Sequence, residues 1–240
     1  MAMECVIKTI VLTLLLTTVM INDNTKSPGE AELLRRIDHL VYASPDLNDA
    51  IDKVERLTGV RATPGGQHPG LGTRNALIAL GPRTYLEIIG PDPEQPTPRE
   101  ARPFGIDELK QSKIVTWAAN SESLEQLRSA AEQSGVLLGV VGSGSRKRPD
   151  GVLLTWRYTS PRTTVENGIV PFFIDWGSSP HPAETAAKGL RLVELRAEHP
   201  DANRVEQILK QLGLDLLVKN ADKPGLVAVI DGPKGRVELR

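Results

Sequence analysis

The chain has 240 residues, 40% of them hydrophobic, enough to bury a substantial core as one large domain or two small ones. Its 29 Lys and Arg nearly balance 30 Asp and Glu, so bulk charge offers no footing for nucleic acid or an anionic membrane, and a small molecule is the expected partner. The single cysteine, Cys5, excludes an internal disulfide framework and a cysteine-based zinc cluster.

Residues 9–21 are almost wholly apolar or threonine, preceded by Lys8 and followed by Asn22, Asp23 and Asn24. At helical rise such a segment spans about 20 Å, short of a bilayer core of about 30 Å, so it reads as the h-region of a signal peptide rather than a stable membrane span. The other reading is an apolar tail packed on the domain. Export or membrane association through this segment and a cytoplasmic location both follow from one of these readings. Residues 1–30 are set apart as apolar segment and tether, with the polar stretch 22–32 as the tether.

Beyond Leu33 one order of elements recurs three times. A short apolar strand comes first, at Ile37–Ala43, then at residues 114–119 and at residues 190–197. A helix follows each. Ser44, Pro45 and Asp46 precede Leu47, Ile51 and Val54; Ser121 to Ser123 precede Leu124, Leu127 and Ala131; His199, Pro200 and Asp201 precede Val205, Ile208 and Leu212. The closing glycines, Gly59, Gly135 and Gly213, lie 76 and 78 residues apart, a spacing that argues for repetition. Three further strands are expected in each copy: near Val60, at 75–80 and at 84–89; at 136–141, 152–158 and 171–176; and at 214–219, 226–230 and 236–239. Turn residues separate them, such as Gly81-Pro82, Pro149-Asp150-Gly151 and Asp231-Gly232-Pro233. The proline-rich stretch 90–103 reads as a linker, the stretch 159–170 as a rim or lid, and the run 142–148 (Gly-Ser-Gly-Ser-Arg-Lys-Arg) as a mobile hairpin loop.

The expected fold is therefore α+β, built from βαβββ modules: a pair over residues 31–182 and a third over 183–240. The segments Arg36-Ile37-Asp38-His39-Leu40-Val41-Tyr42-Ala43, Tyr85-Leu86-Glu87-Ile88 and Phe173-Ile174-Asp175-Trp176, with the loop from Gly66 to Asn75, resemble the glyoxalase-like branch of the vicinal-oxygen-chelate superfamily, which also holds bleomycin-resistance and dioxygenase relatives. That resemblance implies two modules curved around a cup, with divalent-metal ligands on the first and last strands of each. Carried over, His39 and Glu87 are the ligands of copy one and Asp175 that of copy two. The fourth position holds Thr116, a poor ligand for a transition metal. Three choices stay open: a site of His39, Glu87 and Asp175, recruitment of His68 or His181, or no metal.

An ionised carboxylate in the apolar run around Glu87 is costly unless paired or functional, and Glu87 or Asp175 is the expected proton mover. Asp175 can equally pair with Arg157. His68, Arg74, Asn75, Trp176 and His181 are candidate substrate contacts, although His181 can simply cap a turn. Trp117, Trp156 and Trp176 are read as core rather than as a stacking platform. No Gly-x-Ser-x-Gly elbow, His-Glu-x-x-His helix or dinucleotide fingerprint is present.

The resemblance implies a metal-assisted enzyme of isomerase, lyase or dioxygenase type acting on a small oxygenated molecule. The alternative is a non-catalytic binding or sequestration protein of the same fold. Copies one and two are expected to form the cup. In copy three, Glu194 and Glu238 share a face with Arg196, Arg236 and Arg240, which disfavours a cation there and leaves that copy as a structural cap.

Overall fold

The computed structural model describes residues 28–162 and 164–240; the apolar segment 9–21 lies outside them. It opens on helix α1 (Pro28–Arg36), which buries Leu33, so the expected tether is, from Pro28 onward, a helix packed on the sheets.

Copy one runs β1 (Ile37–Ala43), α2 (Leu47–Thr58), β2 (Thr63–His68), β3 (Thr73–Gly81) and β4 (Thr84–Pro91). Copy two runs β5 (Lys113–Asn120), α3 (Leu124–Gln133), β6 (Val141–Lys147), β7 (Leu153–Thr159) and β8 (Phe172–Asp175). Copy three runs β9 (Arg191–His199), α4 (Ala202–Gln211), β10 (Leu217–Asn220), β11 (Gly225–Gly232) and β12 (Gly235–Leu239). The three glycines that mark the repeat all close their helices in the left-handed region, at φ of +85°, +80° and +71°. The first helix is capped two residues later than Ser44: Asp46 accepts from the backbone N–H groups of Asn48 and Asp49.

Copies one and two form one eight-stranded sheet in the order β2-β3-β4-β1-β5-β8-β7-β6. β1 lies parallel to β4 and antiparallel to β5, and β5 lies parallel to β8, so the two copies are related by a pseudo-twofold axis through the facing pair Leu40 and Trp117. The sheet curls until its two edge strands, β2 and β6, meet. Gly66 makes that approach possible. A Cβ on Gly66, whose φ is +144°, would come within 2.8 Å of the Lys147 carbonyl and 3.2 Å of the Arg146 side chain. The run expected to be a mobile hairpin loop is thus strand β6, paired along its length with β7.

Copy three keeps the order of elements but not their pairing. Its sheet reads β10-β9-β11-β12, with β10 parallel to β9 and β12 at the far edge instead of beside the first strand. Its apolar residues Leu195, Val205, Leu209 and Ile230 belong to the same core as Leu40, Ile78 and Trp117, between the outer face of the large sheet, its helices and copy three. A second, smaller core lines the inner face with Val41, Leu77, Tyr85, Ala118 and Phe172. Strand alternation explains the split: Leu40 and Tyr42 face outward, Val41 and Ala43 inward.

Candidate functional site

The inner face of the large sheet encloses a cavity of about 380 Å³, at the small end of the range for small-molecule sites. Six of the nine aromatic residues of the chain line it: Tyr85, Phe104, Trp156, Tyr158, Phe172 and Trp176. Trp117 is core, its indole donating to the Ile169 carbonyl; Trp176 belongs to the inner-face core with Trp156 packed against it, and these two, 5.2 Å apart, also line the cavity wall.

Against this apolar surface copy one sets a compact polar cluster. Glu87 on β4 is 7% exposed, and its Oε1 accepts from Asn75 Nδ2 on β3 at 2.5 Å. Two imidazoles flank the same carboxylate: His39 Nε2 lies 3.8 Å from Oε2, and His68 Nε2 lies 3.8 Å from Oε1. Each ring is held from behind. His68 Nδ1 meets the Thr73 hydroxyl at 3.0 Å, and His39 Nδ1 donates to Asp38 Oδ1 at 2.7 Å while its face stacks on Tyr85. Burial pushes the charged form of His68 down, an effect the nearby Glu87 opposes and Arg146 reinforces.

Asp38 is the hub behind His39. It is 2% exposed and accepts from His39, from the Trp176 indole at 3.0 Å and from His181 Nε2 at 3.2 Å. His181 Nδ1 accepts from the Ala183 backbone N–H, so the ring donates to Asp38 through Nε2. Burial alone would raise the Asp38 pKa, but the hydrogen bonds and charges of His181 and His39 outweigh it and bring the value to about 2. The carboxylate is therefore ionised, and its bond to His39 Nδ1 orients the imidazole with Nε2 toward Glu87. Strand alternation sends neighbours to opposite faces. A register shift between Ile37 and His39 sets these two side by side.

The pseudo-twofold axis shows what copy two holds in the matching places. It exchanges His39 with Thr116 and Val41 with Ala118; since Val41 pairs with Glu87 and Ala118 with Phe172, the counterpart of Glu87 is Phe172. Asp175 is not that counterpart. It lies one residue beyond Ile174, which faces the cavity, and its carboxylate caps the Gly177 backbone N–H in a separate surface groove. It stands opposite Arg157 on β7, whose guanidinium bonds Glu125 instead. Thr116 lines a neighbouring cavity. Arg74 is on the outer face of β3 with a buried Nε that has no partner, and His181 does not line the cavity but supports it through Asp38.

The expected ligand set of His39, Glu87 and Asp175 is therefore not assembled. His39, His68 and Glu87 have the donor types a divalent ion takes, but they engage one another and Asn75, and among the described residues no group of three or more His, Cys, Asp or Glu is arranged to hold an ion. Copy three neutralises itself as expected: Arg196 bonds Glu194 at 3.2 Å and Glu238 at 2.5 Å, and Arg240 bonds Glu198 at 2.8 Å, while Arg236 turns to Asp231. No helix among the described residues is long and apolar enough to cross a membrane.

Paired βαβββ modules curled around a small aromatic cavity with a buried acid and imidazole cluster are the cup arrangement of the glyoxalase-like fold. The family described as glyoxalase-like domain matches residues 37–213, and the chain belongs to it. Among solved structures, a hypothetical protein from Staphylococcus aureus is 15% identical, with 84% of each chain covered and a TM-score of 0.54, which supports the fold. Methylmalonyl-CoA epimerase from Mycobacterium tuberculosis is 16% identical over 65% of this chain and 95% of its own, at a TM-score of 0.39. A Streptomyces coelicolor methylmalonyl-CoA epimerase in complex with 2-nitronate-propionyl-CoA is 17% identical over 58% and 95%, at 0.40. No curated protein matches the chain.

Proposed function

We propose that the chain is an enzyme that moves a proton on carbon in a small carbonyl compound, in the manner of an isomerase or lyase, with Glu87 as the proton acceptor. The observation that carries this reading is the buried Glu87 carboxylate, open to the cavity and flanked at 3.8 Å by two imidazole Nε2 atoms. The carboxylate faces the cavity among Tyr85 and Ile89 with Phe172 on the same lining, where little water competes for a bound C–H, and Asn75 fixes its orientation.

In the step itself a C–H bond beside the carbonyl breaks, an O–H bond forms on Glu87, and the electron pair moves onto the carbonyl oxygen. The proton then returns to carbon, or passes to His39 Nε2, where Asp38 stabilises the resulting imidazolium. Such general acid–base catalysis is worth about 10²- to 10⁴-fold. No part of this step runs through a metal. The metal-assisted version of the reading, including a dioxygenase, needs an ion to reorganise His39, His68 and Glu87 around itself.

The test is solvent-deuterium wash-in followed by proton NMR, with 2-oxobutanoate, methylmalonate and dihydroxyacetone as probes, run both with and without chelator. The expected result is exchange into at least one probe, reduced about 100-fold or more in Glu87→Gln. Loss of exchange on chelation, restored by Zn²⁺ or Mn²⁺, would replace this version by the metal-assisted one. Probes that quench the cavity tryptophans yet never exchange would favour the non-catalytic binding protein.

A further inference from the structure

Arg146 has no part in the acid–base cluster, yet it is 4% exposed and lines the cavity. It sits on β6, where the two ends of the curled sheet meet, and it donates to the Gly65 carbonyl across that seam. This is its only protein partner among the described residues: no carboxylate pairs with it, and its remaining N–H groups are not sealed from solvent. Burial pulls its pKa down, while Tyr85 and Glu87 pull it up, and its charge is felt in turn at His68 and Tyr85, so its head lies on the cavity side of the seam. A guanidinium stays protonated under such pressure.

A buried cation with no carboxylate in direct contact is costly, and an anion that enters the cavity and pairs with it reduces the cost. The seam hydrogen bond alone does not call for arginine, since a neutral amide donor would satisfy the Gly65 carbonyl. Two parallel N–H bonds from a planar fork match a carboxylate; Ser143, Ser145, Ser160 and Arg162 on the same lining offer donors to a phosphate as well, so the titration sets the planar anion against the tetrahedral one. Beside Arg146, Gly144 leaves room for the Trp156 ring: a Cβ there would meet the indole at 2.6 Å. The wall that presents the cation is thus apolar on its flank, which strengthens a charge-assisted bond by excluding water.

We propose that Arg146 anchors the substrate and that the substrate is a small carboxylic acid, its carboxylate on Arg146 and its reactive carbon toward Glu87. This deepens the proton-transfer reading by assigning the substrate class of the same cavity, and its test is a binding measurement that does not depend on turnover.

The quench of cavity tryptophan fluorescence is titrated with malonate, with its neutral isostere malonamide and with inorganic phosphate. Wild-type protein is expected to bind malonate at least 10-fold more tightly than malonamide and more tightly than phosphate. Arg146→Gln, which keeps a donor for Gly65, is expected to bind malonate no better than malonamide, and Arg146→Lys to recover part of the preference. Glu87→Gln keeps the malonate preference even where it loses deuterium exchange, so failure of the anchor and failure of the acid–base reading are separable. Equal affinity of wild type for malonate and malonamide, tighter binding of phosphate, or an unchanged preference in Arg146→Gln overturns the proposal. Should Arg146→Gln fail to fold by circular dichroism, the wild-type comparison decides alone.

Discussion

The two copies that build the cup share a topology and differ in chemistry. At the places related by the pseudo-twofold axis, copy one sets His39 and Glu87 where copy two sets Thr116 and Phe172. Copy one also contributes His68, Asn75 and Asp38, whereas copy two contributes Trp156, Tyr158, Trp176 and the cation Arg146. Under the proposed function one wall moves a proton and the other holds the molecule in place. Duplication supplies a symmetric frame, and the inward positions of each half are then free to diverge because the core on the outer face carries the packing.

The largest break in this division comes from Asp38, whose carboxylate ties β1 of copy one to Trp176 and His181 beyond β8. Asp38→Ala leaves three buried donors unpaired and is expected to cost about 3–5 kcal/mol of stability, read as a lowered urea midpoint. A cost below about 1 kcal/mol would show that the hub does not join the two walls.

Acid is expected to probe the same link more gently. The folded pKa of Asp38, about 2, lies below its ordinary value of 3.8, so its contribution is fully present above pH 4 and is lost as the pH falls toward 2. The contribution is about 2 kcal/mol, and denaturant unfolding between pH 5 and pH 2 should show that much less acid sensitivity in Asp38→Asn than in wild type.

The smallest effect is expected in copy three. Glu194→Gln and Glu238→Gln remove carboxylates that pair with Arg196 on a partly exposed face, and both should leave malonate binding in the cup unchanged. Loss of binding in either variant would move the working site to the wrong module.

Much of this was legible in the sequence. Glycine spacing and helix caps gave the three-fold order of elements, and an acid and a histidine in apolar strands marked His39 and Glu87, with the glycine-rich segment before β3 marking His68 and Asn75. What stayed hidden depends on pairing between distant strands. Asp38 follows the same alternation as any strand residue until the shift beside Ile37 turns it toward the cup. Asp175 sits in a motif that looks like a ligand strand, yet register places Phe172 opposite Ala118 and sends Asp175 outward. Arg146 lies in a Gly-Ser run with loop composition, and only closure of the sheet against Gly65 and Gly66 makes it a buried strand residue. The altered strand order of copy three likewise follows from pairing that local propensity does not encode.

The division of labour between the walls is tested most directly by the concentration dependence of deuterium wash-in for Glu87→Gln and Trp156→Ala, measured on the probe that wild type exchanges. The account predicts that Glu87→Gln loses at least about 100-fold in the saturating rate with little change in the half-saturating concentration, whereas Trp156→Ala raises that concentration and keeps most of the rate. A Glu87→Gln variant that exchanges at the wild-type rate, or a Trp156→Ala variant that loses rate without losing affinity, would contradict it.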